Sequence, residues 1–403
     1  MSSHRIIATS NGRALAGHMF TATSFGYRPA SWGRLYHGRR IVNRRESATR
    51  DSRRVIDVLA NYAATMTAVL LGLWIVTRGS SFLAEYNVSV MFHFFDAERI
   101  VNTIDVLIWL CAFYAVVLIP YYAMRPGFVC DAAKIFAYAY RWLTTSTRPN
   151  FSFDERRAAL TLALKLFFVP LMVGFLLTNI SEAMQYWRAF VSDDSATPYV
   201  VRLNTNFYFL LLSILFAIDV LIFTIGYMIE VPSLDNEIKS VDPTALGWLS
   251  CLICYPPFNQ VGFAFFSFEP VDAADFGTPL SQTMLAWLSL AALAIFTWAS
   301  IALGLRASNL TNRGIVSHGP YRFVRHPAYA TKNVTVWIAA LPAAADAFSR
   351  SVADGLWVLT SLAVWTLVYV VRALTEERHL LMIDNGYAEY KEEVRFRFIP
   401  RLF

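Results

Sequence analysis

Cysteine and histidine are scarce in this chain, and their positions argue against two common kinds of site. Four Cys in 403 residues are too few for a disulfide framework. Cys251 and Cys254 form a C-x-x-C, but they lie in apolar sequence with no second ligand pair nearby, so we interpret them as small buried hydrophobic residues. The seven His show no metal-ligand spacing. We therefore expect no metal site.

Acidic residues are almost missing from the first 54 positions, which hold eleven Arg and only two acids. No apolar core follows the first charges, so this stretch is not a secretory signal. We predict that residues 1–54 form a basic, disordered cytoplasmic arm that is attracted to anionic lipid. A mitochondrial transit peptide is the alternative. We expect no nucleic-acid partner.

Hydrophobic residues, in contrast, make up 56% of the chain. They fall into runs near the length of about 20 residues that crosses the hydrocarbon core of a bilayer. The eight runs are 55–77, 103–124, 160–180, 205–229, 246–266, 282–304, 332–346 and 353–374. Pro256 and Pro257 interrupt the fifth run, which could be broken or re-entrant. The predicted fold is an all-α, polytopic membrane bundle of about eight helices, with the last two runs paired as a helical hairpin.

Basic residues predict the orientation, because cytoplasmic loops carry an excess of Lys and Arg. The N-terminal arm and the loop 125–159 are basic, so both should be cytoplasmic, and eight crossings then place both termini there. The acidic loop 230–243 lies on the same side despite its sign. We predict three regions: the arm 1–54, an accessory transmembrane region 55–281, and a module 282–403 with a cytoplasmic cofactor-binding region.

One acid interrupts the fourth apolar run. Asp219 lies about midway along it, where a charge costs about 2.5–3.5 kcal/mol on insertion scales. Asp219 must therefore face a partner, a cavity or the bundle interior. A structural hydrogen bond and a substrate contact both remain open.

A basic and aromatic turn runs from Gly319 to Tyr329, with the sequence G-P-Y-R-F-V-R-H-P-A-Y. Gly319–Pro320 and His326–Pro327 break helices, and Pro327 suits the first turn of the helix that follows. Free backbone donors at such a helix start attract a carboxylate. The rings of Tyr321 and Tyr329 suit an adenine ring or a sulfonium cation.

An arginine and two acids follow near the end of the eighth run. Arg372 and Glu376 are four residues apart and share a helix face, and Glu377 comes next. Because one helical hairpin separates them from the turn, both elements should lie on the same side of the membrane. Glu376 would then face a bound cation, and Arg372 would hold a carboxylate with its planar guanidinium. Each residue taken singly is also compatible with ordinary interfacial sequence.

Together these motifs resemble the isoprenylcysteine carboxyl methyltransferase family, relatives of the phospholipid N-methyltransferases. The matching residues are Gly319, Tyr321, Arg325, His326, Pro327, Tyr329, Arg372, Glu376, Glu377, Tyr387, Tyr390, Ile399 and Pro400. The resemblance implies an S-adenosylmethionine site lined by Gly314, Ile315, Val316, Tyr321, His326, Pro327, Ala328, Tyr329, Glu376 and Glu377. It also implies that Arg372, as the catalytic residue, holds the reactive end of the substrate.

The chain departs from the family pattern at Thr331, where Gly is common, and at Asn385–Gly386, where Phe-Gly is usual.

The resemblance implies carboxyl O-methylation of a prenylcysteine-like or other lipid carboxylate. N-methylation of a phospholipid or amine is an alternative, although it needs a base. An NADPH-dependent sterol or enone reductase has a related turn, but Ala328 and Thr331 argue against it, and intact motifs argue against a mere lipid-binding scaffold. The expected partners are a lipophilic substrate and membrane lipids; the oligomeric state stays open.

Overall fold

The chain is described by a computed structural model at residues 44–78, 88–94, 97–192, 198–260, 279–383 and 386–402. The helices are α1 (Arg44–Arg78), α2 (Thr103–Ala123), α3 (Asp131–Thr144), α4 (Phe153–Val191), α5 (Tyr199–Arg202), α6 (Tyr208–Met228), α7 (Ala245–Leu252), α8 (Pro279–Leu303), α9 (Pro327–Arg350), α10 (Val352–Leu380) and α11 (Tyr387–Glu393). Two antiparallel strand pairs accompany them: β1 (Ser89–Phe94) with β2 (Ala97–Asn102), and β3 (Ser240–Val241) with β4 (Thr311–Asn312). Contacts group Arg50–Phe403 into one compact unit.

Six helical segments of the described residues are long and apolar enough to cross a membrane. They are Arg53–Arg78, Thr103–Ala123, Phe153–Val191, Tyr199–Met228, Leu280–Arg306 and Val352–Leu380. They coincide with six of the eight predicted runs, and the all-α polytopic class is confirmed. Residues 1–43 of the basic arm lie outside the described residues, and 44–54 lie in α1. The three predicted regions stay predictions.

The two remaining runs behave differently. The fifth begins as α7, a helix of eight residues that is followed by turns, and its residues after 260 lie outside the described chain. The seventh forms most of α9, which is 24 residues long but does not qualify as a span by apolar composition. The count of eight crossings therefore stays a prediction.

Helices α9 and α10 form the expected hairpin. Ser351 separates them, and its Oγ accepts a hydrogen bond from the N–H of Asp354 at 3.0 Å, which caps the start of α10. Three small residues of α9 (Ala340, Ala344 and Ala347) pack against Val358 and Leu362 of α10. Small residues at this spacing let two helices approach closely within a membrane.

Asp219 of α6 is buried and accepts a hydrogen bond from the hydroxyl of Ser300 in α8. Lys332 of α9 lies within electrostatic range of the same carboxylate. Asp219 thus has protein partners on two neighbouring helices, which is how a buried acid is made tolerable inside a bundle.

The acidic loop 230–243 pairs with basic residues at one end of the bundle. The ion pairs are Glu230–Lys165, Asp235–Arg306 and Glu237–Arg125. Burial would raise the pKa of Glu230, but Lys165, Arg313 and the backbone N–H of Ile238 together more than offset this and hold that pKa below its ordinary value. Neighbouring cations thus neutralise the loop, which explains how an acidic loop can lie beside the basic loop 125–159. The orientation of this end stays a prediction.

We predict that Gly355→Ala destabilises the hairpin. A Cβ at Gly355 would overlap the ring of Phe348, and overpacking of this kind costs about 1–3 kcal/mol. Thermal unfolding in detergent should show a lower midpoint. In a double-mutant cycle, adding Gly355→Ala to the Phe348→Ala variant should leave the unfolding midpoint almost unchanged. An equal drop in the midpoint in the wild-type and Phe348→Ala backgrounds would contradict the packing argument.

Candidate functional site

The turn before α9 is shaped by two local constraints. Gly319 has a φ of +61°, a backbone region that glycine adopts without strain. A Cβ there would lie 3.0 Å from the Cβ of Ala302 in α8, so the turn also needs glycine for close approach. Pro327 is the first residue of α9 and His326 precedes it as the cap residue. The predicted helix start at Pro327 is confirmed.

The C-terminal tail docks on this turn through its main-chain carbonyl groups. The backbone N–H groups of Arg325 and His326 donate to tail carbonyls at 3.0 and 2.9 Å, and Nη1 of Arg325 donates to two more at 2.8 and 2.7 Å. The acceptors are the carbonyl oxygens of Phe396, Arg397, Val394 and Arg395. The turn and the tail are therefore one structural unit, although about 70 residues separate them in sequence.

Glu377 of α10 ties this unit to the membrane hairpin. Its Oε1 accepts hydrogen bonds from Arg325 Nε at 2.8 Å, His326 Nε2 at 3.2 Å and Arg397 Nε at 2.9 Å. Its Oε2 accepts from Arg397 Nη2 at 3.0 Å. The hydrogen bond with Glu377 raises the pKa of Arg397 above its ordinary value. Glu377 is 3% exposed, so its carboxylate is enclosed by protein donors rather than open to a ligand.

The neighbouring Glu376 is the accessible acid of the pair. Its side chain is 42% exposed. Its Oε2 accepts a hydrogen bond from the hydroxyl of Tyr329 at 2.7 Å and lies 4.0 Å from Nδ1 of His326. The rings of His326 and Tyr329 stack with their centroids 5.3 Å apart. The turn and the end of α10 therefore meet, as the sequence predicts.

Arg372 lies one helical turn before Glu376 and is buried, with 7% of its surface exposed. Its Nη2 donates to Oδ1 of Asn309 at 2.9 Å and lies 3.7 Å from Sγ of Cys251. The guanidinium carbon stands 4.9 Å from the ring centre of Tyr329 and 5.6 Å from that of Tyr369. All of these partners are uncharged groups.

A cleft joins these side chains to the accessory region. Its empty space, counted out to the open mouth, is about 300 Å³. Its lining residues are Asp242, Gly247, Ser250, Cys251, Leu310, Thr311, Tyr329, Arg372, Thr375, Glu376 and His379. The segment around β3 and α7 therefore forms one wall of the cleft.

The other predicted cofactor residues lie close by in the turn and in the segment before it. Ile315 and Tyr321 pack with Tyr387 and Tyr390 of α11, and the hydroxyl of Tyr390 donates to the carbonyl of Tyr321 at 2.7 Å. Gly314 has a φ of +100°, and Nζ of Lys239 lies 3.3 Å from where its Cβ would be. Val316 and Pro327 are buried, and Ala328 is half-buried. Their roles as cofactor contacts stay predictions.

A comparison with known protein families covers the part of the chain that contains the turn, Arg372 and the two glutamates. Residues 281–382 match the isoprenylcysteine carboxyl methyltransferase (ICMT) family. We call them the ICMT-like region; it runs from the start of α8 to just beyond α10 and includes the turn, Arg372 and both glutamates. The searches of curated proteins and of solved structures gave no match. The resemblance drawn from the motifs is confirmed for this region, and with the apolar helices it indicates a membrane methyltransferase.

Sequence reasoning did not find the surroundings of Arg372. Asn309 is in the ICMT-like region but in no motif, and Cys251 and Asp242 are in the accessory region. The only local signal was the C-x-x-C, whose Cys251 is buried beside the guanidinium. Contacts between residues this far apart in sequence leave no periodic pattern.

We predict that Glu377→Gln unfolds this end of the protein. Removing the charge leaves Arg325 buried without its anion, and breaking a buried pair costs about 3–5 kcal/mol. The measurement is the thermal midpoint of the full chain in detergent. Glu393→Gln, at an exposed position at the end of α11, is the matched control. Equal midpoints for the two variants would contradict the structural role of Glu377.

Proposed function

We propose that this protein is an S-adenosylmethionine-dependent methyltransferase that methylates the carboxylate of a lipophilic acceptor. The observation that carries the proposal is the environment of Arg372. Its guanidinium is buried, and its hydrogen-bonding partners are an amide and a thiol. A buried cation without an anion is costly. A carboxylate acceptor would supply the missing charge.

Arg325 gives a comparison within the same site. It is also 7% exposed, but its Nε donates to Glu377 at 2.8 Å. In the part of the chain that the structure describes, no carboxylate oxygen lies within 4.0 Å of the Arg372 guanidinium. Two equally buried arginines thus differ in whether the protein supplies the counter-ion, and the difference supports a ligand anion at Arg372.

Glu376 is suited to a cationic cofactor. Its contacts with Tyr329 and His326 both use Oε2, and the side chain is partly exposed. S-adenosylmethionine would supply a methyl group activated by a positively charged sulfonium. The stacked rings of His326 and Tyr329 offer an aromatic face for such a cation. The residues present therefore fit this cofactor.

Tyr329 lies between the two binding groups, Arg372 and Glu376, and contacts both. Its ring faces the Arg372 guanidinium and its hydroxyl donates to Glu376. An anion on Arg372 and a cation on Glu376 would thus be neighbours across one side chain. Holding two reactants in line can contribute about 7–11 kcal/mol. A carboxylate is already ionised at neutral pH, so this chemistry needs no base.

We also propose that the site lies at the cytoplasmic face. Arg157 belongs to the basic segment 125–159 and lies in the first turns of α4, where its Nη1 donates to the carbonyl of Ile238 at 2.7 Å. The segment around Ile238 leads into β3, which pairs with β4 just before the turn. The basic loop and the site therefore share one end of the bundle, and basic loops face the cytoplasm.

N-methylation of an amine lipid is a second candidate, because one observation favours it. His379 lines the cleft and its Nε2 shares a hydrogen bond with Ser240 Oγ at 2.9 Å. An amine must lose a proton, and histidine is the commonest protein base. Purified protein with labelled cofactor, offered prenylcysteine, fatty acids and aminophospholipids, separates the two. Label released by mild alkali indicates an ester, and alkali-stable label in an amine would overturn the carboxylate proposal.

We predict that Glu376→Gln weakens binding of S-adenosylmethionine more than binding of S-adenosylhomocysteine. The first carries the sulfonium charge and the second does not, so only the first loses an ionic contact. Calorimetry on the full chain should show their affinity ratio falling about tenfold, which corresponds to about 1.4 kcal/mol. Glu389→Gln, on an exposed face of α11, should leave the ratio unchanged. Preference for NADPH over both ligands would end the methyltransferase proposal.

We predict that Arg372→Met lowers methyl transfer to a lipid carboxylate by at least about thirtyfold, because it removes the group that binds the anion. Truncating a buried charge contact costs about 2–5 kcal/mol. Arg378→Met, an exposed position on the same helix, is the matched control. Initial rates with labelled cofactor measure the effect. Equal rates in the two variants would refute the assigned role of Arg372.

A further inference from the structure

Asn309 connects Arg372 to the accessory region through four hydrogen bonds. Its Oδ1 accepts from Arg372 Nη2 at 2.9 Å. Its Nδ2 donates to the hydroxyls of Tyr227 at 2.9 Å and Tyr255 at 3.1 Å, and its backbone N–H donates to Tyr227 at 2.7 Å. The residue is 9% exposed. Both side-chain N–H donors of this buried amide and one lone pair of its oxygen are thus directed at three side chains.

The orientation of this amide is determined by its partners. A guanidinium has only donors, so the atom of Asn309 that faces Arg372 must be the oxygen. The nitrogen is then left for the two tyrosine hydroxyls. Tyr227 is itself fixed, because its ring stacks on Phe168 of α4 at 5.0 Å with an angle of 3° between the planes. Helices α4 and α6 of the accessory region therefore set the position of the group that holds Arg372.

The neutrality of Asn309 matters as much as its position. An aspartate has the same shape, and both tyrosine hydroxyls could donate to it. It would form a buried ion pair with Arg372 of the kind that Glu377 forms with Arg325. An amide, in contrast, orients the guanidinium without neutralising its charge.

We infer that Asn309 is a positioning residue that keeps Arg372 oriented and uncompensated, so that the accessory region makes the acceptor site selective for an anionic lipid head group. The inference rests on the proposed function and deepens it. It assigns the charge selectivity of the site to a residue that touches neither the methyl donor nor the acceptor. It also gives α4 and α6 a role in the reaction.

The test is Asn309→Asp in the full chain. We expect KM for a lipid carboxylate to rise at least about tenfold, because the new carboxylate competes for Arg372. The dissociation constant of S-adenosylhomocysteine should stay unchanged. Binding of the neutral methyl ester product should also be unaffected, since it brings no charge to the guanidinium. If Asn309 had a purely structural role, the substitution would weaken the binding of the acid, the ester and the cofactor analogue together. That result would overturn the inference.

Two further variants keep the inference testable if Asn309→Asp folds poorly. Asn309→Ala leaves the Arg372 charge intact but unanchored, so kcat should fall more than KM rises. Tyr255→Phe removes one of the two hydroxyls that orient the amide. It should also lower kcat, but by less than Asn309→Ala does. Wild-type kcat and KM in both variants would refute positioning through Asn309.

Failure of the proposed function is distinguishable from failure of this inference. If the wild-type protein transfers no methyl group to any carboxylate, the proposed function is wrong. Direct binding of a lipid carboxylate to the wild-type and Asn309→Asp proteins still tests the charge argument without turnover. Weaker binding only in Asn309→Asp supports the inference, and equal binding overturns it.

Discussion

The carboxylate of Glu377 accepts hydrogen bonds from two arginines and a histidine that come from two distant parts of the chain. Arg325 and His326 belong to the turn before α9, and Arg397 belongs to the tail. Breaking the buried pair of Glu377 with Arg325 would leave an uncompensated charge, and losing Arg397 would remove two further hydrogen bonds from the carboxylate. The turn, the tail and the end of α10 must therefore assemble together, and the geometry around Glu376 and Arg372 depends on that assembly.

Two adjacent glutamates thus have separate tasks. Successive residues of a helix point about 100° apart, so Glu377 faces the turn and the tail while Glu376 faces the open cleft. The same division separates the arginines: Arg325 is neutralised by the protein and Arg372 is not. In the proposed reaction this difference also helps product release. Converting a carboxylate to an ester removes the charge that Arg372 binds, so the product is held less firmly than the substrate.

Much of this arrangement could be predicted from the sequence where the signal is local. Long apolar runs predicted six helices, and Pro327 predicted the start of α9. The meeting of the turn with α10 followed from the number of helices between them. The fifth run has the apolar composition of a span, but the prolines predicted an interruption, and α7 indeed ends after eight residues with turns before Pro256 and Pro257. Proline lacks the backbone donor that would continue a helix.

The division of labour between Glu376 and Glu377 was not predictable, because the sequence shows only two identical residues. Asn309 was invisible for a similar reason: its partner Tyr227 is 82 positions away, and such contacts depend on how helices pack. A sequence pattern reports the face a residue occupies, whereas its partner across a bundle is determined by the tertiary structure.

The strand pair β3–β4 is small, but it joins the accessory region to the ICMT-like region through main-chain atoms. The N–H of Lys239 donates to the carbonyl of Asn312, and the N–H of Asp242 donates to that of Leu310, both at 2.8 Å. Backbone hydrogen bonds do not depend on which side chains are present. This junction would therefore survive extensive substitution on either side, so the side chains of the first half can change while its attachment to the ICMT-like region is kept.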